Sequence, residues 1–314
     1  MGAGEAAMER EAALRVPKEA MSLEIRDMKV AALVNAASGR CDLRAGEALQ
    51  ACLADYGLRP AVSWCGPGAE LERALDLAFA RRPDLVIVRG GDGTIRTAAQ
   101  RCAGEGVLLA PLPGGTMNLL PRALYGTADW RQALGRVFAE AARRKVHGAR
   151  AQGQLFFAAG LFGGPSRLAE AREAARYGEL SAALRSGLAA VKSAFDQEIV
   201  CRVDGETETA GEAVAVLCPL ASRRLPSEAP LLEAAAVDLE STLDALRLVL
   251  NAAFRDWRAD PAVRCSETTG LEIDSDAEVP ALLDGERFEF AAPFRVEVAE
   301  QAFEALVPAA LSAG

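Results

Sequence analysis

The sequence predicts a two-domain α/β protein: a parallel-sheet domain followed by a second, β-rich domain. Three observations carry this. Short apolar runs alternate with helical stretches from residue 30 to residue 118. Beyond about residue 150 the rhythm changes, and from Val263 onward period-two alternation with turn dipeptides takes over. The 314 residues are enough for two ordinary domains, each with its own core.

Val30-Ala31-Ala32-Leu33-Val34 is apolar throughout, as in a strand buried on both faces, and it stops at the polar turn Asn35-Ala36-Ala37-Ser38-Gly39. Leu43 to Tyr56 places Leu43, Leu49, Cys52, Leu53 and Tyr56 at helical spacing, and Gly57 is the C-terminal stop. Ala61 to Cys65 reads as a strand. Ala69 to Arg82 reads as an amphipathic helix ended by Pro83. Leu85 to Val88 is a third strand running into Gly90-Gly91-Asp92-Gly93-Thr94, and Ile95 to Cys102 is helical. Val107 to Ala110 is a fourth strand, leading into Pro113-Gly114-Gly115-Thr116-Met117-Asn118. Strands and helices alternating at these lengths form right-handed βαβ units on a parallel sheet.

In the second domain Leu155 to Ala159 predicts a strand, and Pro165 to Val191 and Leu243 to Phe254 predict helices. Ile199 to Val203 predicts a strand turning at Asp204-Gly205-Glu206, with another at Ala213 to Leu217. Leu271 to Asp274, Arg287 to Phe290 and Phe294 to Val298 alternate as antiparallel strands with one wet face. The expected boundaries are a poorly ordered polar leader at 1–28, the α/β domain at 29–148 and the β-rich domain at 149–302. A final strand at about 303–310 returns to the first domain.

Lys and Arg total 35 against 44 Asp and Glu, a net charge of −9, and the pI is about 5.0. Such a chain lacks the cationic surface of non-specific nucleic-acid binders, so no nucleic-acid partner is expected. Backbone amides can still hold a phosphate. His147 is the single histidine, which argues against Ser-His-Asp hydrolases and His-ligated zinc enzymes. A general base is then a carboxylate. The seven cysteines are scattered, without a C-x-x-C pair, and read as free thiols of a reducing compartment. The leader has no apolar signal-peptide core, and the chain has no run of membrane-spanning length, so a cytoplasmic location is expected.

Chemistry concentrates in two glycine loops. In Gly90-Gly91-Asp92-Gly93-Thr94, three glycines after a buried strand let backbone approach a bulky anion, and the following helix adds its N-terminal partial charge. Asp92 within that loop suits proton acceptance from a hydroxyl or help in holding Mg²⁺, or else a helix cap. Pro113 to Asn118 follows the next strand. Both loops thus fall at the carboxyl end of one sheet, where open α/β sheets bind ligands. There is neither a G-x-x-x-x-G-K-[ST] loop nor a G-x-G-x-x-G fingerprint.

At these loops the sequence resembles the diacylglycerol-kinase catalytic-domain family, which includes bacterial lipid kinases and is related to sphingosine and ceramide kinases. The family pattern N-P-x-S-G, G-G-D-G-T, P-x-G-T-x-N and a late D-G-E reads here as Asn35 to Gly39, Gly90 to Thr94, Pro113 to Asn118 and Asp284-Gly285-Glu286. The resemblance implies a doubly wound nucleotide-binding domain and a β-sandwich lipid-binding domain. It implies transfer of the γ-phosphate of ATP, with Mg²⁺, to a lipid hydroxyl, diacylglycerol-like, at the inner face of the membrane. Asp92 and Glu286 would be catalytic, with Asp92 also at the metal. Asn35, Ser38, Gly90, Gly91, Gly93, Thr94, Gly114, Gly115, Thr116, Asn118 and Asp284 would bind the nucleotide. A homodimer stays open.

Leu119 departs from the family, many of whose members have Asp after this Asn. Ala221 to Pro226 and Glu233 to Asp238 replace a Gly-rich segment and an Asp-Gly pair, and with them the residues of an auxiliary metal site. Two other readings stand beside the lipid kinase: a kinase of a soluble substrate such as NAD, and a non-catalytic nucleotide- or lipid-binding member. Asp204-Gly205-Glu206 repeats the late tripeptide and reads as a plain hairpin turn. The basic cluster Arg143, Arg144, Lys145, His147 and Arg150 reads as a solvated helix end or a lipid head-group contact. Ser181 to Phe195 reads as core or as an interfacial helix.

Overall fold

A computed structural model describes residues 23–167, 198–203, 205, 207–237, 261 and 263–311. The helices expected at Pro165 to Val191 and Leu243 to Phe254, the interfacial reading of Ser181 to Phe195, and Asp204 and Glu206 lie largely or wholly outside those residues. The chain divides into two compact units, Met1–Val146 with Gln301–Gly314 and His147–Glu300.

The first unit is built on five strands: β1 (Val30–Asn35), β2 (Val62–Gly66), β3 (Leu85–Gly90), β4 (Leu108–Pro113) and the end of β16 (Phe294–Pro308). Their order is β2-β1-β3-β4-β16, and each neighbouring pair runs parallel. All six residues of β3 and of β4 are buried, which is why their sequence is apolar almost without interruption. The helices are α1 (Leu23–Arg26), α2 (Arg44–Asp55), α3 (Leu71–Phe79), α4 (Asp92–Glu105), α5 (Leu119–Tyr125) and α6 (Trp130–Ala139). They bury one stripe each: Ala45, Leu49 and Leu53 on α2; Leu71, Ala74, Leu75 and Ala78 on α3; Ile95, Ala98, Ala99 and Cys102 on α4. At Gly46 an added Cβ would stand 2.6 Å from the Cys65 Cβ, so α2 is pressed against β2 at a glycine.

Ile25 on α1 is 1% exposed and its carbonyl accepts from the Met28 amide, so the fold begins before residue 29. Ile25→Ala is expected to lower stability by about 2 kcal/mol, near the bottom of the range for such core truncations because a terminal turn can detach locally. Urea unfolding of the full chain measures it.

The second unit has two antiparallel sheets. One runs β12 (Val263–Thr268), β11 (Leu232–Val237), β10 (Ala213–Leu217), β7 (Ala159–Gly163), β14 (Val279–Leu283), β15 (Glu286–Phe290). The other joins the start of β16 to β13 (Gly270–Asp274), β8 (Ile199–Val203) and β9 (Thr207–Gly211). Their inner faces share one core, with Phe162, Val214, Val216, Leu283 and Phe290 from the first and Ile199, Leu271, Ile273, Phe294 and Val296 from the second. This is the expected sandwich, and the alternation shows in β16, where Phe294 and Val296 are buried and Arg295 and Glu297 exposed.

Two local readings change. The strand expected at Leu155 to Ala159 is interrupted: β6 (Gln154–Phe156) ends before Phe157-Ala158 and β7 begins at Ala159. The cluster around His147 is no helix end, because α6 stops at Ala139 and β5 (Ala141–Ala151) follows. Strand alternation buries Arg144 and exposes Arg143 and Lys145. Arg143 lies 3.8 Å from Glu304 and Lys145 Nζ donates to Gln301 Oε1 at 2.7 Å. Among the described residues, no helix is long and apolar enough to cross a membrane.

Candidate active site

Strand register brings three loops to one edge of the parallel sheet. Val34 pairs with Arg89 and Gly90 with Pro113, so the chain leaves β1, β3 and β4 at about the same level. Because the order is β2-β1-β3-β4, the connections from β1 and from β3 run to opposite sides, and a crevice opens between their ends. Asn35 to Cys41, Gly90 to Thr94 and Pro113 to Asn118 surround it.

Their polar side chains knit the loops to one another. Asn35 Nδ2 donates to Thr94 Oγ1 at 2.7 Å, while Asn35 Oδ1 accepts from the Ala37 amide at 3.0 Å. Ser38 Oγ accepts from the Gly91 amide at 3.0 Å. The Arg40 amide donates to the Gly114 carbonyl and the Gly114 amide to the Gly90 carbonyl, both at 2.9 Å. Asn118, fully buried, accepts on Oδ1 from the Gly114 and Gly115 amides at 3.1 and 2.7 Å and donates from Nδ2 to the Gly115 carbonyl at 2.9 Å. Asn118 therefore holds the loop that carries it. It sits at a left-handed φ of 53°, just before α5.

The glycines divide in the same way. A Cβ on Gly115 would stand 2.5 Å from the Gly91 Cα, whereas one on Gly91 meets nothing nearer than 3.7 Å. Gly115 is needed for packing; Gly91 leaves room. Gly115→Ala is accordingly expected to cost about 2 kcal/mol through overpacking, and Gly91→Ala less than about 0.5 kcal/mol. Thermal unfolding of the two variants compares them.

The face left partly or wholly to solvent is mostly backbone: Ala37, Gly39, Gly91, Asp92, Gly93 and Thr116. It includes the first turn of α4, whose leading amides have no partner within the helix. This arrangement suits a bulky anion held by N–H groups and a helix N-terminus. Asp92 is the carboxylate within it. Its Oδ2 accepts from the Asn118 amide at 2.9 Å and its Oδ1 from the Leu119 amide at 2.6 Å, so it also caps α5. Burial pushes its carboxyl above the usual carboxylate range, against the opposing effect of these amide bonds. Among the described residues no three His, Cys, Asp or Glu side chains converge to hold a metal. A Mg²⁺ brought by a nucleotide would find Asp92 as the carboxylate of these loops.

Asp284 and Glu286 belong to the second unit. Asp284 and Gly285 form the two-residue turn between β14 and β15, at φ 48° and 88°. The Asp284 carboxylate, 6% exposed, accepts from the amides of Phe157, Ala158 and Ala159 at 2.7, 2.8 and 3.0 Å. Asp284 is thus a structural acceptor for the segment between β6 and β7, and its bonds explain the break there. Glu286 opens β15 opposite Leu283 and is half-buried. Of the repeat tripeptide only Gly205 is described, at φ 78°, between β8 and β9, whose Val203 and Thr207 pair.

One residue of this region escaped the sequence reading. Arg89, the last side chain of β3, is 7% exposed and lies under the Arg40 to Cys41 segment. Its signal was present: a single charge closing the apolar run Leu85 to Val88.

Residues 29–150 match the family model of the diacylglycerol kinase catalytic domain. Two solved structures from Bacillus anthracis str. Sterne share the fold. One, described as a candidate diacylglycerol kinase, is 22% identical with a TM-score of 0.67. The other, described as a diacylglycerol kinase, is 20% identical with a TM-score of 0.66. Each alignment covers 91% of this chain and 99% of the other. The stretch that matches the diacylglycerol kinase catalytic domain carries all three loops of the crevice.

Proposed function

We propose that the protein is an ATP- and Mg²⁺-dependent lipid kinase working peripherally at the cytoplasmic face of the membrane, with a diacylglycerol-like acceptor. The observation that carries the reading is the backbone-lined crevice between the ends of β1 and β3, closed by the loop after β4 and lying within the family match. In the proposed reaction the acceptor hydroxyl oxygen bonds to the γ-phosphorus, the bond to the β–γ bridging oxygen breaks, and ADP leaves. Such transfer needs alignment and charge neutralisation more than covalent help from the protein. When bound, Mg²⁺ would supply the neutralising charge. The amides of Gly93 and Thr94 orient the phosphates, and Asp92 takes the hydroxyl proton. Glu286 is assigned a supporting role in the same step.

The test is ADP release by the purified full chain with MgATP, alone, with diacylglycerol in mixed micelles, and with NAD. Lipid-dependent release is expected. Release with NAD only would favour the soluble-substrate kinase; ATP binding without turnover on any lipid alcohol would favour the non-catalytic reading.

A further inference from the structure

We infer that Arg89 is a positioning residue for the nucleotide, acting through the Arg40 peptide and braced by Trp130; the inference rests on the nucleotide reading of this crevice. Arg89 Nη2 donates to the Arg40 carbonyl at 3.3 Å, and its guanidinium lies 4.6 Å from the centre of the Trp130 ring. The Arg40 peptide is thereby held at both ends, since its amide donates to the Gly114 carbonyl at 2.9 Å. Gly114 is in turn bonded through its amide to Gly90, the residue after Arg89. Arg89, Arg40 and Gly114 close a ring that joins all three loops, and Arg89 is its only side-chain link.

The surroundings show a group held for a purpose. Burial pulls the Arg89 guanidinium below its usual pKa, and the neighbouring Arg131 acts the same way. Arg131 stacks on Trp130 as well, at 4.5 Å, so one indole braces two cations. Trp130 is placed for this by the start of α6, where Asp129 caps the Arg131 and Gln132 amides at 2.8 and 3.1 Å. No salt bridge to a carboxylate holds Arg89 among the described residues, and its buried Nε has no hydrogen-bond partner. A leucine or methionine would fill β3's end without that cost, yet would leave the Arg40 carbonyl unpaired and the Ala36 to Cys41 loop free to shift. Lysine offers neither the planar stack nor the fork of donors.

The experiment is calorimetric titration of MgATP into the full-length parent and into R89M, R89K, W130A and W130F, with circular dichroism checking the fold of each. R89M and W130A are expected to bind about tenfold more weakly, the first by losing the tether on the Arg40 carbonyl and the second by losing the ring that braces it. R89K should fall between, and W130F, which keeps a ring face, should stay within about threefold of the parent. In turnover assays the loss should appear in KM for ATP, with kcat unchanged at saturation, a split that general destabilisation does not produce. Parent-like affinity in R89M overturns the inference while leaving the lipid-kinase reading standing. If R89M does not fold, parent-like affinity in both R89K and W130A overturns it equally. A parent that binds no MgATP overturns both.

Discussion

Asp92→Asn is expected to cut lipid-dependent ADP release by roughly 10²–10⁴-fold, the range for losing general acid–base help. The substitution keeps the shape and removes the charge, and it also disturbs the cap. Both carboxylate oxygens accept backbone amides, from Asn118 and Leu119. An amide NH₂ must face one of those donors, so α5 and the loop before it loosen, costing about 1–2 kcal/mol of stability. Turnover and unfolding midpoint measured on one preparation separate the two effects, since a loss of cap alone cannot supply 10²-fold at a temperature where the variant is folded. The pH profile gives a further check. A base acts when deprotonated, so kcat/KM rises with pH through its pKa. Burial raises the Asp92 carboxyl, so that limb should lie above the usual carboxylate range and vanish in the variant. Turnover at parental rate would remove Asp92 from the reaction.

Asp284→Ala is expected to show the largest loss of stability, about 4 kcal/mol. Three amides, those of Phe157, Ala158 and Ala159, lose a buried charged acceptor together, and each unpaired buried group costs about 1–3 kcal/mol before the chain relaxes. Relaxation has little room, because the Asp284 amide itself donates to the Ala159 carbonyl at 2.8 Å and Cys218 Sγ bonds the Phe156 carbonyl at 3.5 Å. The carboxylate is felt in the packing nearby, where it adds to burial in pushing the Cys218 thiol well above its usual pKa. Glu286→Gln is the contrast: two residues away and half-buried, it should move the unfolding midpoint by less than about 0.5 kcal/mol while lowering turnover. Equal stability of Asp284→Ala and the parent in urea unfolding would show that the three bonds contribute nothing net.

Much of this was legible in the residues. An apolar run such as Leu85 to Val88 can satisfy both its faces only inside a covered parallel sheet, and Phe294 to Val298 alternates because one face is wet. Glycine placement marked the loops for the same local reason: chain that must approach another chain or an anion cannot carry a Cβ. The helix Leu119–Tyr125 and the strand Ala141–Ala151 were not legible, since the first is short and the second carries Arg143, Arg144 and Lys145 in a row. What the sequence by itself determined was which residues are polar and close to a turn. Only the tertiary structure decided what their lone pairs and N–H groups meet. Asn118 turns back on its own loop, Asp92 caps a helix that begins 27 residues later, and Asp284 serves amides 125 to 127 residues away. A hydrogen bond depends on distance and direction in space, and for partners so far apart in sequence those exist only once the sheets have packed.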